Sequence, residues 1–169
     1  MAQITQAQLK ELFSYRIDGY LVRKIAAGRA KIGDVASSID NKGYSRSVVG
    51  RTNYLSHRLI WMYHNDFMPK QIDHIDGNPL NNRIENLRVA TQSENQQNTK
   101  IRSNNTTGYK GVYFHKLTGK YAAQARLNGK CIHIGLFTCP KEAAIAYNKA
   151  AKELFGEFAR CNAIEVSED

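Results

Sequence analysis

Cysteine is scarce in this chain and poorly placed for chemistry. The three present, Cys131, Cys139 and Cys161, form no Cys-x-x-Cys pair and sit near no histidine cluster, which argues against a thiolate metal site. Their odd number and wide spacing fit reduced, mostly buried structural thiols. Long apolar runs are missing too. No stretch approaches the ~20 residues of a membrane-spanning helix, and residues 1–6 lack a signal-peptide layout, so a cytoplasmic protein without a membrane partner is expected. The third absence is acidic charge. No Asp or Glu occurs between Glu94 and Glu142, while Lys100, Arg102, Lys110, Lys116, Lys120, Arg126, Lys130 and Lys141 fall in that gap. A one-signed segment of this length repels itself unless an anion lies near. With a formal net charge of +9 over 169 residues, the anion expected is nucleic acid. A hydrophobic fraction of 42% is that of a folded protein.

What the chain does have is concentrated in residues 71–98. Ile72 and Ile75 flank Asp73-His74, and Asp76-Gly77-Asn78-Pro79 is dense in turn formers, so a short strand should run into a tight reversal. Ile84, Leu87 and Val89 supply the apolar positions of a second strand, and Thr91-Gln92-Ser93-Glu94 is a capping box that opens a helix containing Asn95. Asn78, Asn81 and Asn82 read as turn residues whose amides satisfy nearby backbone groups. Strand, strand and helix would gather Asp73, His74, Asn86 and Asn95 into one hollow. A carboxylate and an amide oxygen suit Mg²⁺, which keeps most of its waters and takes a phosphate oxygen, better than zinc. An imidazole titrating near neutrality suits removal of a proton from an attacking water.

The set Asp73-His74-Ile75-Asp76-Gly77-Asn78, Asn81-Asn82, Asn86-Leu87 and Glu94-Asn95 resembles the HNH endonuclease family, particularly its phage homing branch. The resemblance implies that His74 is the general base and that Asp73 and Asn95 bind one divalent metal ion, Mg²⁺ with Mn²⁺ as the alternative. Asn86 would brace the loop between the strands and orient the base. The family's usual final histidine is Asn95 here, a departure shared within the homing branch. If a phage encodes the chain, the cytoplasm in question is that of its host cell.

Ahead of this stretch, residues 4–15 read as a short helix with Thr5 as N-cap and Ile4, Leu9, Leu12 and Phe13 on one face. Residues 20–23, 35–39, 44–49 and 52–55 read as strands around a basic, glycine-bearing loop at 26–33. Residues 56–64 form a core helix with the single tryptophan, Trp61. Its Ser56-His57-Arg58-Leu59-Ile60 segment resembles the one preceding the Asp-His pair in the homing branch. That places His57 close by, but a histidine at a helix start more often serves backbone groups, so it stays outside the catalytic set.

Beyond residue 98 the polar stretch 99–108 reads as a linker. Strands at 111–115, 120–127 and 130–135 follow, with Asn128-Gly129 as a hairpin turn. Alternation puts Tyr113, His115, Gln124, Arg126, Cys131 and His133 on one face. Val112, Phe114, Ala123, Ala125, Ile132 and Ile134 lie on the other, covered by a helix at 140–155. Thr138 should cap that helix, Gly156 should end it, and Ala143, Ala146, Ala150 and Leu154 should form its buried stripe.

Tyr109-Lys110-Gly111-Val112, Gly119-Lys120-Tyr121-Ala122-Ala123, Ile134-Gly135-Leu136-Phe137 and Glu142-Ala143-Ala144-Ile145-Ala146-Tyr147 resemble the DNA-binding domain of plant ethylene-response factors, the APETALA type. The resemblance implies a sheet face in the major groove of double-stranded DNA, with Lys110, Gly111, Tyr113, His115, Lys120, Gln124, Arg126, Lys130 and His133 at the contact. Arg126 suits guanine and Gln124 adenine, whereas Lys110 and Lys120 suit phosphates.

The expected fold class is α+β: a small antiparallel sheet with a ββα-metal motif, then a three-stranded antiparallel sheet packed on one helix. A nuclease domain at 1–98, a linker at 99–108, the DNA-binding domain at 109–162 and a tail at 163–169 make up the chain. The function expected is a metal-dependent endonuclease on double-stranded DNA, acting as monomer or homodimer with no obligate protein partner. The alternative is a DNA-binding regulator with a decayed nuclease. RNA binding fits the charge but not a groove-reading sheet.

Overall fold

The computed structural model describes residues 4–164, so the amino-terminal three residues and most of the expected tail lie outside it. The chain divides into two compact units, residues 1–90 and 91–169.

In the first unit, α1 (Gln6–Leu12) opens with a capping box in which Thr5 Oγ1 accepts from Gln8 N and Gln8 Oε1 accepts from Thr5 N. The helix ends earlier than expected. Residues 13–15 belong to β1 (Phe13–Arg16), whose antiparallel pairing with β2 (Tyr20–Arg23) draws them out of the helical path. A second sheet, in the order β3 (Ser38–Ile39), β4 (Ser45–Val49), β5 (Thr52–Leu55), leads directly into α2 (Ser56–Asn65). Leu9, Phe13, Leu21, Leu59 and Ile60 form the closed centre of the core, with Ile72 and Leu87 joining it. The first fifty residues therefore supply half of the core on which α2 and the later hairpin rest.

A polar seam fixes the start of α2. Ser45 Oγ donates to Ser56 Oγ at 2.8 Å, and Ser47 Oγ lies 2.8 Å from Ser56 Oγ. Ser37 Oγ lies 2.6 Å from Ser45 Oγ, and Ser47 Oγ also donates to the Ala36 carbonyl. Buried hydroxyls are stable only when paired, and these pair with one another.

The hairpin of β6 (Ile72–His74) and β7 (Leu87–Val89) is antiparallel, with Ile72 opposite Val89, Asp73 opposite Arg88 and His74 opposite Leu87. Ile84 enters a single 3-10 turn, Ile84–Asn86, rather than the strand. Ile75 and Val89, expected to be apolar anchors, stay exposed.

The second unit begins with α3 (Gln92–Gln97), capped by the reciprocal Thr91–Glu94 box. Its contacts group it with residues 91–169. Stretch 99–108 is structured in part: Asn105 Nδ2 donates to Tyr109 O, and Asn105 Oδ1 accepts from the N–H groups of Thr107 and Gly108. Strands β8 (Val112–His115), β9 (Lys120–Leu127) and β10 (Lys130–Phe137) form an antiparallel sheet with β9 central. Helix α4 (Pro140–Phe155) packs against it.

Four expectations are corrected here. The cap of α4 is Cys139, whose Sγ accepts from Glu142 N, while Thr138 donates to the Glu142 carboxylate. The buried stripe is Ala143, Ala144, Tyr147, Ala151 and Phe155, because two aromatic rings fill space against a sheet whose central strand turns the small Ala123 and Ala125 inward. Phe114 is exposed, its ring edge-on to Tyr121. The cysteines are free as expected, but Cys131 and Cys161 are exposed and Cys139 half-buried. No helix among the described residues is long and apolar enough to cross a membrane.

Candidate active site

The site starts with an alternation. Asp73 and His74 are neighbours on β6, so their side chains leave opposite faces of the strand. Both are buried. On one face, Arg88 donates from Nε at 2.9 Å and from a terminal nitrogen at 2.7 Å to Asp73 Oδ2. Cross-strand registry makes this pairing automatic.

On the other face, His74 Nε2 lies 2.9 Å from Asn82 Oδ1. The His57 ring stands edge-on to the His74 ring, with centroids 5.0 Å apart and planes at 85°. Burial, with the neighbouring charges of His74 and Arg58, pushes His57 down to about 3. It is therefore neutral at physiological pH and adds no positive charge beside His74.

The loop between the strands is tied around Asp76. Its carboxylate accepts from Asn78 N at 2.7 Å, Asn81 Nδ2 at 2.7 Å and Asn86 Nδ2 at 2.9 Å. Asn86 Oδ1 accepts from Asp76 N, and Asn86 Nδ2 also donates to Asn81 O. Burial pushes the Asp76 carboxyl up, but these hydrogen bonds outweigh it and hold the group below the usual carboxylate range.

Sequence reasoning singled out Asp73, His74 and Asn86, and the first unit carries all three. Asn86 is a loop brace by these contacts, whereas the side chain that meets His74 is Asn82, read earlier as a turn residue. Arg88 and Asp76 were also missed. The i-to-j pairing of two short strands was the available signal for Arg88. Asn95 lies on α3 in the second unit, half-buried, with its N–H donating to Thr91 O.

Among the described residues no cluster of three or more His, Cys, Asp or Glu side chains forms a cage for a metal ion. That donor set does not suit structural zinc. It does suit a hard, water-rich ion such as Mg²⁺, which one or two oxygen ligands hold. A carboxylate has about four lone-pair positions, so the two bonds from Arg88 to one oxygen of Asp73 are compatible with a cation on the same group.

In the second unit, Gln124 and Arg126 alternate with the buried Ala123 and Ala125 and so face outward. His133 stands opposite Gln124 and Cys131 opposite Arg126, with a bulge before Gly135. Tyr113, Lys120, Arg126, Lys130 and His133 are exposed, and Gln124 and His115 half-exposed. Gln124 Oε1 accepts from Cys131 Sγ, and His115 Nδ1 lies 2.9 Å from Thr118 Oγ1.

Two residues expected at this surface are engaged within the chain. Lys110 Nζ donates to the carbonyls of Gln97 and Thr99 at the end of α3, where a cation offsets the helix dipole. Burial, with the nearby Arg160, pushes its ammonium down to about 8. Gly111, at φ +76°, packs against the Tyr147 ring, and a Cβ there would stand 2.1 Å from that ring. Its missing side chain makes room for Tyr147.

A buried histidine and carboxylate on one short hairpin, in a loop braced by asparagines, is the frame of a nuclease, and residues 54–97 match the family model described as HNH endonuclease. The chain carries an HNH endonuclease domain. Protein 3.8 of Escherichia phage T7 is 37% identical over 106 residues, covering 62% of this chain and 87% of that protein. An uncharacterized HNH endonuclease of Acanthamoeba polyphaga mimivirus is 42% identical over 95 residues, covering 56% of this chain and 48% of that protein. An SPbeta prophage-derived protein of Bacillus subtilis (strain 168), named as an HNH homing endonuclease, is 46% identical over 55 residues, 32% of its length. No solved structure matches the chain.

Proposed function

We propose that the chain is a metal-dependent endonuclease of the homing type that cleaves double-stranded DNA at preferred sites. The observation that carries this is the pair on β6: a base-type imidazole and a carboxylate, both buried and each held by its own partner, His74 by Asn82 and Asp73 by Arg88. Preorganised groups of this kind need little rearrangement when a phosphodiester arrives.

His74 takes a proton from a water molecule as the water oxygen bonds to phosphorus and the bridging P–O bond breaks. The neutral His57 beside it leaves the His74 ring able to accept that charge. Asp73, with Asn95, would hold a divalent cation, Mg²⁺ or Mn²⁺, which supplies polarisation of the phosphate and stabilisation of the leaving oxygen. Asn86 and Asp76 keep the loop closed around the base.

The second unit would position the duplex in the manner of an APETALA-type sheet. Arg126 and Gln124 are suited to guanine and adenine in the major groove, with Tyr113, His115 and His133 beside them and Lys120 and Lys130 toward phosphates. The absence of acidic residues between Glu94 and Glu142 supports that role.

Supercoiled plasmid incubated with the purified protein, with and without Mg²⁺, tests the reading alongside His74→Ala. Metal-dependent open circles from the wild type alone are expected, and linear product would mean paired action. Intact plasmid with every divalent metal, while a mobility shift shows the DNA bound, would overturn it in favour of a binding regulator.

A further inference from the structure

We infer that Asn82 is the positioning residue for the base His74, and that the β1–β2 turn at Gly19 is the support holding Asn82 in place. The inference rests on the nuclease reading for its kinetic arm only.

The contact is direct. Asn82 Oδ1 lies 2.9 Å from His74 Nε2, and Asn82 is fully buried. An amide oxygen only accepts hydrogen bonds, so Nε2 carries the ring proton and the lone pair of the neutral imidazole sits on Nδ1. The amide thereby sets which nitrogen receives a proton from water, as partners of a histidine's second nitrogen commonly do.

A second observation points the same way. Asn82 Nδ2 is buried and has no hydrogen-bond partner among the described residues. Burying an amide with half of its capacity unmet is unfavourable. A residue chosen for stability alone would be apolar here, so its oxygen's contact with His74 is the reason to keep it.

The support is steric. Gly19 has φ +90°, and a Cβ on it would stand 2.6 Å from Arg83 N and 2.7 Å from the Asn82 carbonyl carbon. The turn thus lies flush on the peptide that carries Asn82. Two residues further along, Ile84 N donates to Tyr15 Oη at 3.1 Å. The amino-terminal hairpin, otherwise remote from the chemistry, thus holds the loop at the carbonyl end of Asn82 and again at Ile84.

The test has two arms on the full-length protein. In the first, ¹⁵N shifts of the His74 ring are measured in the wild type at alkaline pH. The Nε2–H tautomer is expected. The Nδ1–H tautomer would mean that the amide is turned the other way, with Nδ2 against Nε2, and would overturn the inference whether or not the protein cuts DNA.

In the second arm, Asn82→Leu, Asn82→Asp and Gly19→Ala are compared in plasmid cleavage. Asn82→Leu should lower kcat about 10²-fold with KM for DNA unchanged. Asn82→Asp, which also accepts from Nε2–H, should recover to within about tenfold of wild type. Gly19→Ala should lower kcat in the same sense without touching the site. Wild-type kcat in a folded Asn82→Leu overturns the inference. A wild type that cuts nothing overturns the nuclease reading instead, and the tautomer still decides the role of Asn82.

Discussion

Arg88 places two nitrogens, at 2.9 and 2.7 Å, on a single oxygen of Asp73. Both side chains are largely withdrawn from solvent, with exposures of 12% and 6%. Removing one member of a buried pair strands the other charge. Arg88→Ala should therefore lower stability by about 3 kcal/mol, read as a shifted urea midpoint with unchanged slope. A loss within experimental error would show that the pair is not structurally important.

Acid should destabilise the fold through His57. Its folded value is about 3 against an ordinary 6.5, so between those values the unfolded chain binds a proton that the folded chain refuses. The stability present above pH 6.5 is lost by roughly 1.4 kcal/mol per pH unit as the solution is acidified toward pH 3. His64, lowered by burial and by Lys10, acts in the same direction. His57→Phe, which keeps an aromatic edge toward His74, should flatten the dependence between pH 6 and 4. Urea titrations at several pH values would reveal it.

Gly111→Ala should be far more damaging than an ordinary turn substitution. The new methyl group meets Tyr147 at 2.1 Å and Gln124 O at 2.8 Å, adding overpacking of about 1–3 kcal/mol to a left-handed backbone strain of about 1–2 kcal/mol. Gly119→Ala, with φ +65° and nothing within 4 Å, carries the backbone contribution alone. Thermal melts of the two variants should separate accordingly, and equal melting temperatures would contradict the packing.

Lys110 and Arg126 should behave differently despite sharing a charge. Lys110→Met removes hydrogen bonds to Gln97 O and Thr99 O, so the melting temperature should fall while the salt dependence of DNA binding changes little. Arg126→Ala should leave the fold intact and relax preference at one base position, worth about 1–3 kcal/mol. Selection from a randomised site and a salt titration distinguish the two outcomes.

Local signals in the sequence were reliable where the structure is local. The Thr5 N-cap, the Thr91 capping box, the Asn128-Gly129 hairpin and the strand bearing Asp73-His74 all form where the residues indicate. What escaped depends on distant partners. Phe13 and Tyr15 leave a helical pattern because β2 pairs with them. Asn82 looks like any turn asparagine until the loop folds it onto His74, while Asn86, the more conspicuous residue, faces Asp76. The stripe of α4 shifted because Tyr147 and Phe155, not more alanines, fill the volume above Ala123 and Ala125.

The four serines at the start of α2 have a direction. Ser47 gives its proton to Ala36 O, so Ser56 must donate to Ser47; Ser45 donates to Ser56, so Ser37 must donate to Ser45. The result is a one-way relay, Ser37 to Ser45 to Ser56 to Ser47, terminating on a carbonyl. Every hydroxyl after Ser37 both receives and gives, so no member is exchangeable on its own: alanine at any one link leaves its neighbour facing a gap. Such a group can drift toward apolar residues only as a set, and the helix that brings His57 to His74 is moored by an ordered line of protons instead of by fit alone.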